Sequence, residues 1–145
     1  MFKHLLLPTD GSALSEKAVL QGLRLARGFL GRVTGIHVVP EFHVLTYRTD
    51  MLEDTREEFL ADCRKQAEKF LAFVDKTARE EGVLCDTYVR VSDHPYEAIV
   101  DTAQEHGCDL IVMASHGQRG ARSRLVGSET TKVLTHTTIP VLVIR

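Results

Sequence analysis

The sequence predicts an α/β domain built on a five-stranded parallel sheet with helices on both faces. Short apolar runs alternate with longer stretches of helical periodicity, in the order βαβαβαβαβ, which is the pattern of a parallel sheet wound on both sides. The first, fourth and fifth runs are apolar nearly throughout, as strands covered on both faces must be. Proline or glycine punctuates most of the boundaries.

The first strand spans Lys3 to Leu7 and ends at Pro8. Over residues 12–30, Leu14, Ala18, Val19, Leu23, Ala26 and Leu30 recur at three- and four-residue steps, which predicts a helix with Ser12 as N-cap and Gly31 as stop. Val33 to Val39 is the second strand, and residues 40–50 read as a loop. A long helix follows over 52–81. Phe59, Leu60, Cys63, Ala67, Phe70, Leu71, Val74 and Ala78 form its apolar face, and Gly82 its stop. Cys85 to Val91 is the third strand. Pro95 opens a helix that runs to His106 and stops at Gly107. Leu110 to Met113 is the fourth strand, residues 114–126 form a Gly- and Arg-containing loop, Ser128 to His136 is a helix, and Pro140 to Ile144 is the last strand. No repeat or linker interrupts the 145 residues, so one domain accounts for 1–145.

Composition excludes several classes. Apolar residues make up 43%, enough for a sizeable core, and the net charge of −2 gives no field to attract nucleic acid or an anionic membrane. No apolar run approaches the roughly 18 residues of a membrane span, and the N-terminus lacks a signal-peptide pattern, so a cytoplasmic protein is expected. Cys63, Cys85 and Cys108 are too widely spaced for a CxxC pair and read as small hydrophobes. The seven histidines show no metal-ligand spacing. Glu57-Glu58 and Glu80-Glu81 read as solvated helix faces.

In such sheets the ligand sits at the carboxyl ends of the strands, where the strand order reverses. Periodicity leaves two orders open, 2-1-3-4-5 and 3-2-1-4-5; the second puts the switch between strands 1 and 4. Those two strands lead into the least ordinary segments of the chain: Pro8-Thr9-Asp10-Gly11-Ser12, and Ala114-Ser115-His116-Gly117-Gln118-Arg119-Gly120. In the second, Gly117, Gly120 and Gly127 permit positive φ and close backbone approach, and successive N–H groups can form an anion nest. Gly127-Ser128 opens a helix, whose N-terminus favours a phosphate; Ser128 can cap it or donate to the anion. Arg119, Arg122 and Arg124 add positive charge. A solvated surface loop with an N-capped helix is the bland alternative. Asp10 suits a ribose hydroxyl pair and an Asx-turn equally. His116 can donate to a phosphate or fix the loop, and the second role is favoured. No Walker P-loop and no GxGxxG is present.

These segments resemble the universal stress protein family along the whole chain: Leu6-Leu7-Pro8-Thr9-Asp10-Gly11-Ser12, Ile36-His37-Val38-Val39, Asp109-Leu110-Ile111-Val112-Met113 and Ile139-Pro140-Val141-Leu142-Val143-Ile144. The ATP-binding branch of that family carries Gly, two residues, Gly, nine residues, then Gly-Ser or Gly-Thr. Here Ala114, Gly117, Gly127 and Ser128 stand at those positions, with the spacing intact and Ala114 replacing the first glycine. The resemblance implies a Rossmann-like sheet of order 3-2-1-4-5, similar to the adenine nucleotide alpha hydrolases. It implies ATP as ligand, with Mg or Mn accompanying it. Asp10 would contact the ribose, and Val38 the adenine through its backbone. Pro8 and Thr9 would line the pocket, and Gly117 with its loop, Gly127, Ser128 and Glu129 would cradle the phosphates. It further implies a homodimer through Val141 to Ile144. Two other functions stay open: an interaction module with an empty loop, which Ala114 supports, and a slow nucleotide hydrolase or phosphotransferase, which the lack of an evident base or metal pair disfavours.

Overall fold

The chain runs β1 (His4–Pro8), α1 (Ala13–Gly28), β2 (Arg32–Val39), α2 (Thr49–Glu81), β3 (Cys85–Val91), α3 (Pro95–Glu105), β4 (Leu110–Ala114), α4 (Ser128–His136) and β5 (Val141–Ile144) in a computed structural model that describes residues 1–43, 49–117 and 125–145. The sheet has the order β3-β2-β1-β4-β5, and its paired strands are all parallel. Of the two orders open to the sequence, the one with its switch between β1 and β4 is adopted.

β1 shows why this sheet must be covered twice. Leu5 and Leu7 pack with Ala18, Val19 and Leu23 of α1 and Val74 and Ala78 of α2. Leu6, one residue out of phase, packs on the other side with Ile99 and Ala103 of α3 and Val133 of α4. All three leucines are fully buried, each contributing about 1.5–3 kcal/mol of apolar transfer. Gly22 is the contact point of α1 on β1, since a Cβ there would stand 2.4 Å from Leu7 Cδ2.

Helix ends follow the sequence in part. Ser12 caps α1 by accepting from Ser15 N at 3.2 Å. Gly31 is not the left-handed residue at the other end; Leu30 takes φ 56°. Gly31 is needed one step later, where a Cβ would stand 2.9 Å from the Lys3 carbonyl oxygen, so close backbone approach and not positive φ selects glycine there. α2 begins at Thr49, ahead of the expected residue 52, because apolar periodicity marks its buried face and not its start. That face is Ala67, Leu71, Val74 and Ala78; Leu60 is exposed and Phe59 and Cys63 half-buried. Glu81 is no solvated charge, for it holds Arg24 at 3.2 Å and Arg27 at 2.8 Å and ties α2 to α1. Of the cysteines, Cys108 is buried, while Cys63 and Cys85 are half-buried. Among the described residues, no helix is long and apolar enough to cross a membrane.

His4 is buried at the amino end of the sheet. Its Nδ1 accepts from Arg32 Nε at 3.4 Å, so the proton sits on Nε2, 2.7 Å from Thr34 Oγ1. Burial first, and the Arg32 charge second, lower its pKa from 6.5. The folded protein therefore holds neutral His4 where the unfolded chain would bind a proton. This contribution is complete above the unfolded value and is lost as pH falls below it. Denaturant melts between about pH 7 and pH 5 should show stability falling with pH. His4→Gln, which keeps a donor for Thr34 but does not titrate, should flatten the slope; equal slopes for both proteins would contradict the assignment.

Candidate functional site

The chain leaves β1 toward the α1–α2 layer and leaves β4 toward the α3–α4 layer. Because β1 and β4 are neighbours, these opposite exits open a crevice at their carboxyl ends. The crevice is a cleft of about 200 Å³. Pro8, Thr9, Asp10 and Ser15 form one wall and Met113, Ala114, His116 and Gly117 the opposite one. Ile36, His37 and Val38 of β2, Pro95 and Ile99 of α3, and Glu129 and Thr130 of α4 complete it. A groove of about 740 Å³ between α2 and the edge strand β3 is larger, but it is not at the crevice between β1 and β4 where the strand order reverses.

Eight of the expected site residues line the cleft: Pro8, Thr9, Asp10, Val38, Ala114, His116, Gly117 and Glu129. Gly127 and Ser128 lie at the start of α4, beside the lining residues Glu129 and Thr130. Arg119 and Gly120 lie outside the described residues. Ser15, Ile36, His37, Pro95, Ile99, Met113 and Thr130 also line the cleft and were not singled out from sequence. Ile36, Ile99 and Met113 carry only an apolar signal, the same as any core residue, until the strand order is known.

Asp10 makes the Asx-turn and also faces the cleft. Its Oδ1 accepts from Ser12 N at 3.0 Å, while Oδ2 is turned across the crevice toward Gly117. A Cβ at Gly117 would stand 2.2 Å from that oxygen. Gly127 has φ −64° and ψ 161°, and neither it nor Gly117 has positive φ, so of the two freedoms the sequence offered it is close approach that these glycines use. Gly127 instead allows the two ends of the loop to touch: its N–H donates to Ser115 O at 2.6 Å, and a Cβ would meet Ser115 O and His116 Cα at 3.1 Å. Thr130 Oγ1 adds a bond to Ala114 O at 2.9 Å, which fixes the first turn of α4 against the end of β4. Ala114 is extended, since Leu30 is the non-glycine residue of positive φ among those described. His116 Nδ1 lies 3.5 Å from Gly117 O, a weak contact.

The helix starts around the cleft differ in how they are capped. Ser12 and Asp10 satisfy donors at the start of α1. At α3 the cap residue His94 makes no side-chain bond, and Glu129 supplies one from α4, its Oε2 accepting from Tyr96 N at 2.9 Å. α4 has Gly127 as N-cap and no side-chain cap; Ser128, expected to cap it, is its first helical residue and is exposed. Among the described residues, the start of α4 is thus the one of these three helix starts for which no side-chain cap is seen.

Glu41, His43 and Asp93 also converge, beyond the ends of β2 and β3, although no sequence spacing linked them. All three are exposed. His43 bonds the Asp93 carboxylate, which also accepts from Glu41 N at 3.0 Å, so the cluster clasps the segment after β2 to the start of α3. The hydrogen bond from His43 lowers the Asp93 pKa.

Comparison with known proteins agrees with this geometry. The model of the universal stress protein family matches residues 1–145. The universal stress protein YxiE of Bacillus subtilis is 32% identical over the full length of both chains. The solved structure of MJ0577 from Methanocaldococcus jannaschii superposes with a TM-score of 0.83 at 28% identity, covering 99% of this chain and 96% of its own. The universal stress protein from Archaeoglobus fulgidus in complex with dAMP shares the fold, with a TM-score of 0.69 at 21% identity over 100% of this chain and 98% of its own. With a family match from the first residue to the last, on a sheet wound in the same way, the chain belongs to the universal stress protein family.

Proposed function

We propose that the cleft binds an adenine nucleotide, ATP foremost, and that the protein acts as a nucleotide-holding regulator in a stress response. The observation that carries this reading is a small, largely apolar cleft lined both by Asp10 and by Glu129 and Thr130 of the first turn of α4, a helix whose N-cap is a glycine with no side chain to cap it. A volume of about 200 Å³ suits a base and ribose, with phosphates extending along the start of α4. A protein of the same fold holds dAMP.

In this reading the adenine lies among Ile36, Val38, Ile99 and Met113, with the Val38 backbone reading its edge. Pro8 and Thr9 line the same part of the cleft, and Asp10 accepts from the ribose hydroxyls. The phosphates meet the N–H groups of Ser128 and Glu129, where the helix dipole favours negative charge, while Gly127, its own N–H held by Ser115 O, leaves the approach open. Glu129 takes part through its backbone, because its carboxylate is engaged by Tyr96 N and lies 3.5 Å from Lys132 Nζ. The cation that accompanies ATP, Mg or Mn, would be held chiefly by the phosphates, for the described residues place no three-ligand cluster in the cleft. It would offset phosphate charge. The reading is retention of the nucleotide, with any hydrolysis slow.

A homodimer belongs to the same proposal. β5 is an edge strand, Leu142 on it is 41% exposed, and an apolar edge is a template for pairing with a second copy.

Mass spectrometry of the denatured, purified protein should find ATP, and calorimetry of nucleotide-free protein should show ATP binding that Gly117→Val weakens by displacing the Asp10 carboxylate. An empty protein that resists titration overturns the reading.

Ala114→Gly should leave ATP affinity within about threefold, well under the ~1.4 kcal/mol of a tenfold change, and lower the melting temperature slightly through greater unfolded-state freedom. A gain of about tenfold would mean that the methyl obstructs the site.

Sedimentation should show a dimer that Leu142→Lys shifts to monomer. A wild-type chain still monomeric at high micromolar concentration would sink the β5 assignment.

A further inference from the structure

We propose that His37 is a positioning residue that aims the Asp10 carboxylate at a ribose diol by holding the Thr9 carbonyl. The inference rests on the nucleotide reading of the cleft and assigns a role to a residue that sequence placed only in a strand.

His37 is 8% exposed, and its Nδ1 lies 2.9 Å from Thr9 O. A carbonyl only accepts, so Nδ1 carries the proton and donates it. The neighbouring β2 residue holds the other backbone group of Thr9, whose N–H donates to Ile36 O at 2.9 Å. Thr9 Oγ1 lies 3.1 Å from Ser15 Oγ and accepts from Gly11 N at 3.2 Å. Thr9 is thus held at its N–H, carbonyl and hydroxyl.

The ring of His37 is itself fixed. Phe70 of α2 meets it edge-on, with centroids 5.0 Å apart and planes at 79°. The same Phe70 ring fills the space over Gly11, where a Cβ would stand 2.2 Å from its Cε1, and Gly11 has φ 78°. Asp10 therefore lies between two residues clamped by one His–Phe pair. The Thr9 carbonyl and the Asp10 N–H belong to one peptide plane, so a rotation of that plane in search of a new donor changes φ at Asp10 and swings its carboxylate. Thr9 is 5% exposed, and a buried carbonyl that loses its donor has strong reason to rotate.

The test compares ATP with 2′,3′-dideoxy-ATP by calorimetry on wild type, His37→Leu and His37→Asn. Asn carries an amide N–H near the position of Nδ1 without the ring. Wild type should prefer ATP by roughly tenfold, the scale of a hydrogen bond to a charged acceptor. His37→Leu should reduce that preference to about twofold, weakening ATP by clearly more than dideoxy-ATP. His37→Asn should recover most of the preference. Nitrogen–proton NMR of the nucleotide-free protein should also show a slowly exchanging Nδ1–H on His37.

A full ATP preference in His37→Leu overturns the proposal, as does an equal loss of both ligands. So does a rapidly exchanging or absent Nδ1–H. If His37→Leu does not fold, His37→Asn decides: retained preference supports the role and a lost one overturns it. A wild type that binds both ligands equally defeats the ribose role of Asp10, and with it this inference, while leaving nucleotide binding intact. A wild type that binds neither defeats the function proposed above.

Discussion

β1 has no solvent-facing side, and the remainder of the molecule is arranged around that constraint. Its leucines alternate between two helix layers, and its backbone is paired on both edges. A strand in that position can be satisfied only at the centre of a parallel sheet wound on both faces. Once β1 is central, with β2 on one edge and β4 on the other, the exits of β1 and β4 diverge into opposite layers. The crevice between them is a consequence of burying β1, and no separate domain or lid is required to form it.

What occupies the walls of that crevice is mostly backbone whose direction has been fixed. The turn after β1 is tied by Thr9 N to Ile36 O, by Asp10 Oδ1 to Ser12 N and by Ser15 Oγ to Ser12 O, at 2.9, 3.0 and 2.9 Å. The start of α4 is tied by Gly127 N and Thr130 Oγ1 to the residues that end β4. Each net hydrogen bond of this kind contributes about 1 kcal/mol, but the larger effect is on geometry, since a buried carbonyl left without a donor costs more than the bond contributes. Two loops held this way present donors and a carboxylate at set positions before any ligand arrives.

Much of this was legible in the sequence, because alternating periodicity and apolar strands are properties of single segments. Periodicity alone left the strand order open between 2-1-3-4-5 and 3-2-1-4-5, since it says nothing of which edges meet; the order adopted, 3-2-1-4-5, is the one that the family resemblance implied. The site divides in the same way. Asp10 and Gly117 stood out by type and spacing and Glu129 through the family resemblance, but their partners did not. Gly117 is glycine because of an aspartate oxygen more than one hundred residues earlier in the chain, and Gly127 because of the Ser115 carbonyl. His37 looked like any polar residue inside a strand. Its meaning lies in Thr9 and Phe70, which reach it from β1 and α2. Leu30 shows the converse: a left-handed residue beside a glycine defeats the usual rule, because the glycine was needed for contact with Lys3.

The charges at the rim explain how a slightly acidic chain can receive an anion at this place. Asp10 and Glu129 both face the cleft, and by Coulomb's law alone they would oppose a phosphate. Each is instead matched to a helix start: Asp10 to the N–H of Ser12, the cap of α1, and Glu129 to the N–H of Tyr96 in the first turn of α3. Each carboxylate is thereby set against the positive end of a helix dipole, where negative charge is favourable. α4 carries Glu129 in its own first turn, but that carboxylate is turned to Tyr96 N, and the N-cap of α4 is a glycine, the one residue type with no side chain to offer. The first turn of α4 cannot drift away to be solvated elsewhere, because Thr130 holds it to Ala114 and Glu129 holds it to α3. In the proposed reading, a nucleotide phosphate would complete at α4 what Asp10 and Glu129 already do at α1 and α3, and with those two carboxylates engaged the start of α4 would be the place left for negative charge.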